Sequence, residues 1–196
     1  MNGQLEAAWR LHLFFTARRV PYVIIGGIAV QRWGQPRLTR DVDLTILLPP
    51  GREEGVLREI VGAFPPRIDG AVDFALKHRV LPISVPEGSE ADISLGLPGY
   101  EEHAMARAIE YDLGDGRRVR LCSAEDLIIH KALAGPPQDL LDIEGIVARQ
   151  GGALDVAYLR RWLEELGRAA DDPGVAAHFD RAWARHGPHG SGESGG

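Results

Sequence analysis

Residues 22–43 read YVIIGGIAVQRWGQPRLTRDVD, and this stretch decides the fold. Tyr22 to Ile25 is a β-branched and aromatic run that stops abruptly at Gly26-Gly27, the pattern of a strand entering a tight turn. Ile28 to Trp33 predicts a short helix, closed by Gly34 and blocked by Pro36. Arg40 to Leu48 then alternates, with Val42, Leu44 and Ile46 on one face and Asp41, Asp43 and Thr45 on the other, until Pro49-Pro50 ends it. The unit is strand, helix, strand, with a glycine pair at one end and two acids at the other.

Two carboxylates at i and i+2 of a strand share a side, with backbones about 6 to 7 Å apart. Each raises the other's pKa unless a cation lies between them, and a divalent metal with its preference for hard oxygen ligands supplies that compensation. A third carboxylate from a neighbouring strand is needed to hold two ions in the arrangement that clamps the attacking and leaving oxygens of phosphoryl or nucleotidyl transfer. Asp92, in Ala91-Asp92-Ile93-Ser94-Leu95, is the candidate, with Glu90 on the same face as fallback. The glycines complement this pair. Without Cβ atoms, Gly26 and Gly27 let backbone N–H groups approach a triphosphate at a helix N-terminus.

Outward from this unit, residues 4–18 have the spacing of an amphipathic helix, and Glu53 to Phe64 and residues 71–78 predict two more. Val80 to Val85 and Ala91 to Leu95 read as strands, Tyr100 to Arg107 as a helix, and Ile109 to Leu113 with Arg117 to Leu121 as a hairpin about Asp115-Gly116. Arg117, Arg118 and Arg120 read as arginines of an exposed edge strand. Ser123 to Asp126 forms a capping-box pattern, so a helix is expected from Ala124 to about Ala134, with an apolar stripe of Leu127, Ile128 and Leu133 that leaves Lys131 at its boundary. Three more helices follow at about 138–149, 154–169 and 174–185, where Leu159, Trp162, Leu163 and Leu166 are core candidates. The fold class is α+β: a small mixed or antiparallel sheet with flanking helices over residues 1–122, a helical part over 123–186 packed on it, and a disordered tail over 187–196.

The 196 residues are 44% hydrophobic and 26% charged, with 22 basic and 28 acidic side chains for a net charge of -6. This is the composition of a globular protein. A single cysteine, Cys122, excludes a disulfide framework and a cysteine-based zinc site. No apolar run approaches a membrane span and no secretory signal is legible, so a cytoplasmic protein without a membrane partner is expected. Charge is uneven. Residues 1–40 hold six arginines and one acid, Glu6, for +5, while the remaining 16 basic and 27 acidic groups give -11. Arg18, Arg19, Arg32, Arg37 and Arg40 thus offer a local polyanion track that the overall charge conceals.

Gly26-Gly27 followed by Arg37-x-Thr39-x-Asp41-x-Asp43 resembles the signature of the polymerase β-like nucleotidyltransferase superfamily, in its branch of AbiE-type (AbiEii-like) toxin nucleotidyltransferases. A second block, Ser123-x-Glu125-Asp126-Leu127-x-x-x-Lys131 and then Asp139-x-x-Asp142, is similar to the downstream motif of that branch. The resemblance covers about residues 20–147. It implies the superfamily's sheet and magnesium-dependent transfer of a nucleoside monophosphate from an NTP to an acceptor hydroxyl. By the same resemblance, Asp41, Asp43 and Asp92 hold two Mg2+ ions, and Gly26, Gly27, Arg37, Thr39 and Lys131 bind nucleotide. Lys131 contacts phosphate or developing charge, with Asp142 or Asp139 orienting it or the nucleotide.

Three readings follow. The first is a toxin acting on RNA, such as a tRNA end, with a cognate antitoxin as partner. The second is a small-molecule enzyme resembling the aminoglycoside and lincosamide resistance nucleotidyltransferases. The third is a catalytically weak nucleotide- or partner-binding module, motivated by Gly27 where many members carry serine and by Pro136-Pro137-Gln138 where the branch carries basic residues.

Overall fold

The computed structural model describes residues 3–39, 41–86, 88–114, 116–135 and 137–188. Arg40, Glu87, Asp115, Pro136 and the tail from residue 189 lie outside the described residues, and with them the expected start of the Asp-x-Asp strand, the first residue of the hairpin turn and most of the expected disordered tail. The chain divides into two compact units. One comprises the residues up to Ala29 together with Arg37–Ser123, and the other comprises Val30–Pro36 together with the chain from Ala124 onward.

The first unit is built on a six-stranded mixed sheet of β1 (Tyr22–Ile24), β2 (Asp41–Ile46), β3 (Val80–Val85), β4 (Ser89–Leu95), β5 (Ile109–Asp112) and β6 (Arg118–Leu121). Their spatial order is β3-β4-β2-β1-β6-β5. β1 pairs antiparallel with β2 and parallel with β6, while β2 pairs parallel with β4. The outer pairs β3/β4 and β5/β6 are antiparallel. Four helices accompany the sheet: α1 (Gly3–Arg18), α3 (Glu53–Ala63), α4 (Ala71–His78) and α5 (Tyr100–Arg107), with α2 (Gly26–Trp33) following β1.

Period-two patterning explains the core. Val42, Leu44 and Ile46 of β2, Ala91 and Ile93 of β4, and Leu81 and Ile83 of β3 are fully buried, and the alternate positions of β2 and β4 are polar: Asp41, Asp43, Thr45, Glu90, Asp92 and Ser94. Helix α1 lies against β2, β4 and β6 and buries Ala7, Ala8, Leu11 and Phe15 completely. Phe15 stacks on Tyr22, and Phe14 meets Phe64 edge-on.

The hairpin arginines do not line an edge. β6 lies between β1 and β5, so β5 and β3 are the outer strands. Each arginine there has a partner: Arg117 bonds Glu6 at 2.9 Å, Arg118 bonds Glu110 at 3.2 Å, and Arg120 donates to the carbonyl of Met105. The alternating pattern marked a strand with one polar face, which edge and inner strands share.

The second unit contains α6 (Ala124–Ala134), α7 (Pro137–Gln150), a 3-10 turn (Gly151–Ala153), α8 (Val156–Ala169) and α9 (Gly174–His186). Residues 30–36 group with these helices although the sequence places them in the sheet part. Arg149 donates to the carbonyls of Gln31 and Gly34, Gln150 donates to that of Trp33, and a Cβ on Gly34 would lie 3.0 Å from Cγ1 of Ile146, a tight contact. Asp155 caps α8 by accepting from the Tyr158 N–H. Leu159, Trp162 and Leu163 are buried, and Leu166 is half-buried.

Helix α6 meets α7, α8 and α9 and buries residues around most of its circumference. Leu127 and Ile128 of the expected stripe are fully buried, but Leu133 is exposed, and Lys131, placed at the boundary by the sequence, is buried. A helix surrounded by neighbours tolerates charges on its inner faces only where each finds a partner, and these do. Glu125 accepts from the Asp155 N–H at 3.0 Å, and Asp126 accepts from the Tyr158 hydroxyl at 2.7 Å.

Candidate functional site

The register of β2 and β4 aligns Asp41 with Glu90 and Asp43 with Asp92. In a parallel pair, directly opposed residues project to the same face, so these four carboxylates form a two-by-two array on one side of the sheet. Asp41 and Glu90 are exposed, and Asp43 and Asp92 are partly buried. Between them stand the buried Val42 and Ala91, aimed the opposite way. The alternation that builds the core therefore also builds the acidic face.

The glycine pair meets this face. Gly26 and Gly27 are the first two residues of α2, two positions earlier than the sequence suggests, so they form its first turn. Ile25 donates its N–H to the Asp43 carbonyl at 2.9 Å, which ties the start of the helix to the acidic strand. Gly26 has φ 64°, in the left-handed region that favours glycine. A Cβ there would also run into the Asp43 carboxylate. A Cβ on Gly27 would lie 2.5 Å from both Cγ2 and Oγ1 of Thr39. The room left by the two missing side chains is thus taken by Asp43 and Thr39. Asp43 lies where the unsatisfied amides and positive end of α2 favour an anion.

A residue not anticipated from the sequence completes the array. Arg67 follows Pro65-Pro66 in a segment that runs antiparallel beside β3 through a bridge between Pro66 and Ile83. Its N–H donates to Pro82, and the Ser84 N–H donates to Pro65. From there the Arg67 guanidinium bonds Glu90 through Nη1 at 2.6 Å and Asp92 through Nη2. Its side chain is 27% exposed. Proline pairs read as helix stops, and nothing in the local pattern points from residue 67 to residues 90 and 92.

Among the described residues, no three of His, Cys, Asp and Glu converge as a ready-made metal cluster. The donor set nevertheless suits a hard divalent ion: Asp41, Asp43 and Asp92 are carboxylates on one solvent-accessible face, and their register neighbours across the β2/β4 pairing are acidic as well.

Arg37 and Thr39, both partly buried, lie in the loop that leads into β2. Of the arginines expected to track a polyanion, Arg18 and Arg19 lie at the chain end of β1 opposite Gly26, where Arg18 bonds Glu59 and covers the Phe14 ring. Arg32 stacks on Trp33.

The downstream block falls in the second unit. Lys131 Nζ is 2.6 Å from Asp139 and 2.7 Å from Asp142, with side chains 6%, 19% and 4% exposed. Gln138 donates to the other oxygen of Asp142. Helices α6 and α7 are joined by this buried ion triad. On the preceding residue, burial lowers the His130 pKa to about 4, with Asp126 opposing the shift and Lys131 adding to it.

No family model and no curated protein matches the chain. Solved structures do. A nucleotidyltransferase-like antigenic protein from Paracoccidioides brasiliensis shares 19% identity, with 90% of this chain and 91% of that one covered at a TM-score of 0.50. The lincosamide antibiotic adenylyltransferase LnuA, solved with lincomycin bound, shares 15% identity over 72% of this chain and 94% of its own at a TM-score of 0.50. At such identities the likeness concerns architecture. The six-stranded mixed sheet with its flanking helices is an architecture this chain shares with these two structures.

Proposed function

We propose that this chain is a nucleotidyltransferase that moves a nucleoside monophosphate from an NTP to an acceptor hydroxyl. The observation that carries this reading is the register of β2 on β4, which sets Asp41, Asp43 and Asp92 on one face beside the first turn of α2. In this reading those three carboxylates hold magnesium, which when bound supplies Lewis-acid polarisation and neutralises pyrophosphate. The first-turn amides of α2 receive the triphosphate, with Arg37 and Thr39 beside them in sequence. The acceptor oxygen forms its bond to the α-phosphorus as the α–β phosphoanhydride bond breaks. The hydroxyl proton passes to Asp92, and pyrophosphate leaves.

Lys131 enters this reading differently from the resemblance. With two carboxylates in ion-pair range and little exposure, its geometry supports a role in joining α6 to α7.

For the acceptor, an RNA end, with the chain acting as a toxin restrained by an antitoxin, draws its support from the arginine-rich first 40 residues. A small cationic molecule is a second reading, supported by two observations. Arg18 and Arg19 lie at the end of β1 away from Gly26, and Asp41 and Glu90 are the exposed members of the carboxylate array. Incubation with each labelled NTP, magnesium and either total RNA or a panel of aminoglycosides and lincosamides separates the two. Label moved by wild type and not by Asp43→Asn supports the activity, the labelled product names the acceptor, and label transfer unaffected by Asp43→Asn overturns the site.

A further inference from the structure

We propose that Arg67 is a resident counter-ion of the carboxylate face, one that competes with divalent metal at Asp92 and makes metal loading depend on bound nucleotide. This rests on the nucleotidyl-transfer reading of the same face and adds a mechanism by which it is controlled.

Three observations converge. Arg67 bonds Glu90 and Asp92 with separate nitrogens of one guanidinium, so a single cation satisfies both carboxylates contributed by β4. That placement is held from the backbone: the 65–67 segment is fastened to β3 at Pro82 and Ser84, and the side chain must cross β3 to reach β4. Finally, Asp92 and Asp43 are register neighbours, so an ion shared between them would draw on a carboxylate that Arg67 already occupies.

The consequence is electrostatic. Two cations cannot take the same carboxylate lone pairs at full strength, and a guanidinium beside an entering divalent ion repels it. Arg67 leaves at low cost only when another anion is offered. A triphosphate is that anion, because its oxygens match the planar fork of donors as well as a carboxylate does. Nucleotide and metal then assist each other's binding: the triphosphate draws Arg67 off Asp92, and Asp92 becomes available as a ligand. Without nucleotide, Arg67 offsets part of the charge of the acidic face, at Glu90 and Asp92, and discourages binding of metal alone.

Manganese titrations of the full chain, read from the spin-resonance signal of free Mn2+ with and without a non-hydrolysable NTP analogue, test this without measuring turnover. Arg67→Gln should bind Mn2+ alone about five- to tenfold tighter than wild type, and the enhancement by nucleotide should shrink by the same factor. Arg67→Lys, whose ammonium serves one carboxylate at a time, should fall between. Circular dichroism establishes that each variant is folded, and if Arg67→Gln does not fold, the Lys variant carries the comparison. Mn2+ affinity without nucleotide that is unchanged or weaker in both folded variants overturns the role of Arg67 and leaves the transferase reading intact. Wild type that binds no Mn2+ even with nucleotide overturns the metal site, and the inference with it.

Discussion

Gly26 and Asp43 exclude any side chain between them: a Cβ on Gly26 would lie 2.5 Å from Cγ and 2.6 Å from Cβ of Asp43. The acid and the helix start are therefore mutually dependent, and substitution at either should disturb both.

Gly70 offers a matched control. It has the same φ of 64°, and a Cβ added there would meet no atom within 4 Å, so Gly70→Ala carries the backbone cost alone, about 1 to 2 kcal/mol. Gly26→Ala should cost more in urea unfolding and should also lower nucleotidyl transfer by about 100-fold as Asp43 is displaced. Equal stability losses in the two variants would show that Asp43 moves aside freely.

Gly27 and Thr39 should be energetically coupled. Gly27→Ala places a methyl against the Thr39 side chain, and Thr39→Gly removes that obstacle. A double-mutant cycle should return a favourable coupling of about 1 kcal/mol or more. Strict additivity would mean that the loop carrying Thr39 shifts without resistance.

Lys131→Met should destabilise the chain by about 3 to 5 kcal/mol, because it leaves two poorly exposed carboxylates without their cation. Adding Asp139→Asn and Asp142→Asn to the same chain should recover most of that loss. If Lys131→Met unfolds at the wild-type urea concentration, the triad is not what holds α6 to α7.

Acid should weaken the fold through His130. Its pKa is lowered to about 4 in the folded chain against 6.5 in the unfolded one, so between these values the unfolded state binds the extra proton. Stability from this group is complete above pH 6.5 and is lost as pH falls toward 4. Between pH 7 and 5.5 the loss should be about 1 kcal/mol, and His130→Gln should flatten that part of the profile. Parallel profiles for the two proteins would remove His130 as the cause.

The elements were legible where local chemistry alone decides them. Alternation through residues 41–46 and 91–95, proline stops after residues 48 and 64, and the Gly34 terminator each act within a few residues, and the strands and helices lie close to where those signals place them. What depends on distant partners was not legible. Leu133 carries an inward-looking pattern but is exposed, while Lys131 is buried, because the helices around α6 and the partners at Asp139 and Asp142 decide the matter. β6 has the same alternation at an inner position as it would have at an edge, since only pairing distinguishes the two. Arg67 reaches Glu90 and Asp92 through a bridge between residues 66 and 83, for which no periodicity exists in the chain.

The parallel pairing of β2 with β4 also bears on when the site comes into being. Its partners are about fifty residues apart, so the loop between them must close before Asp43 and Asp92 become neighbours, and non-local parallel contacts are slow to form. A slip of β4 by one residue would turn Glu90 and Asp92 into the core and Ala91 and Ile93 out to water. The acidic face and the core thus depend on the same register: a chain that mispairs these strands gains neither a buried core nor the carboxylate array.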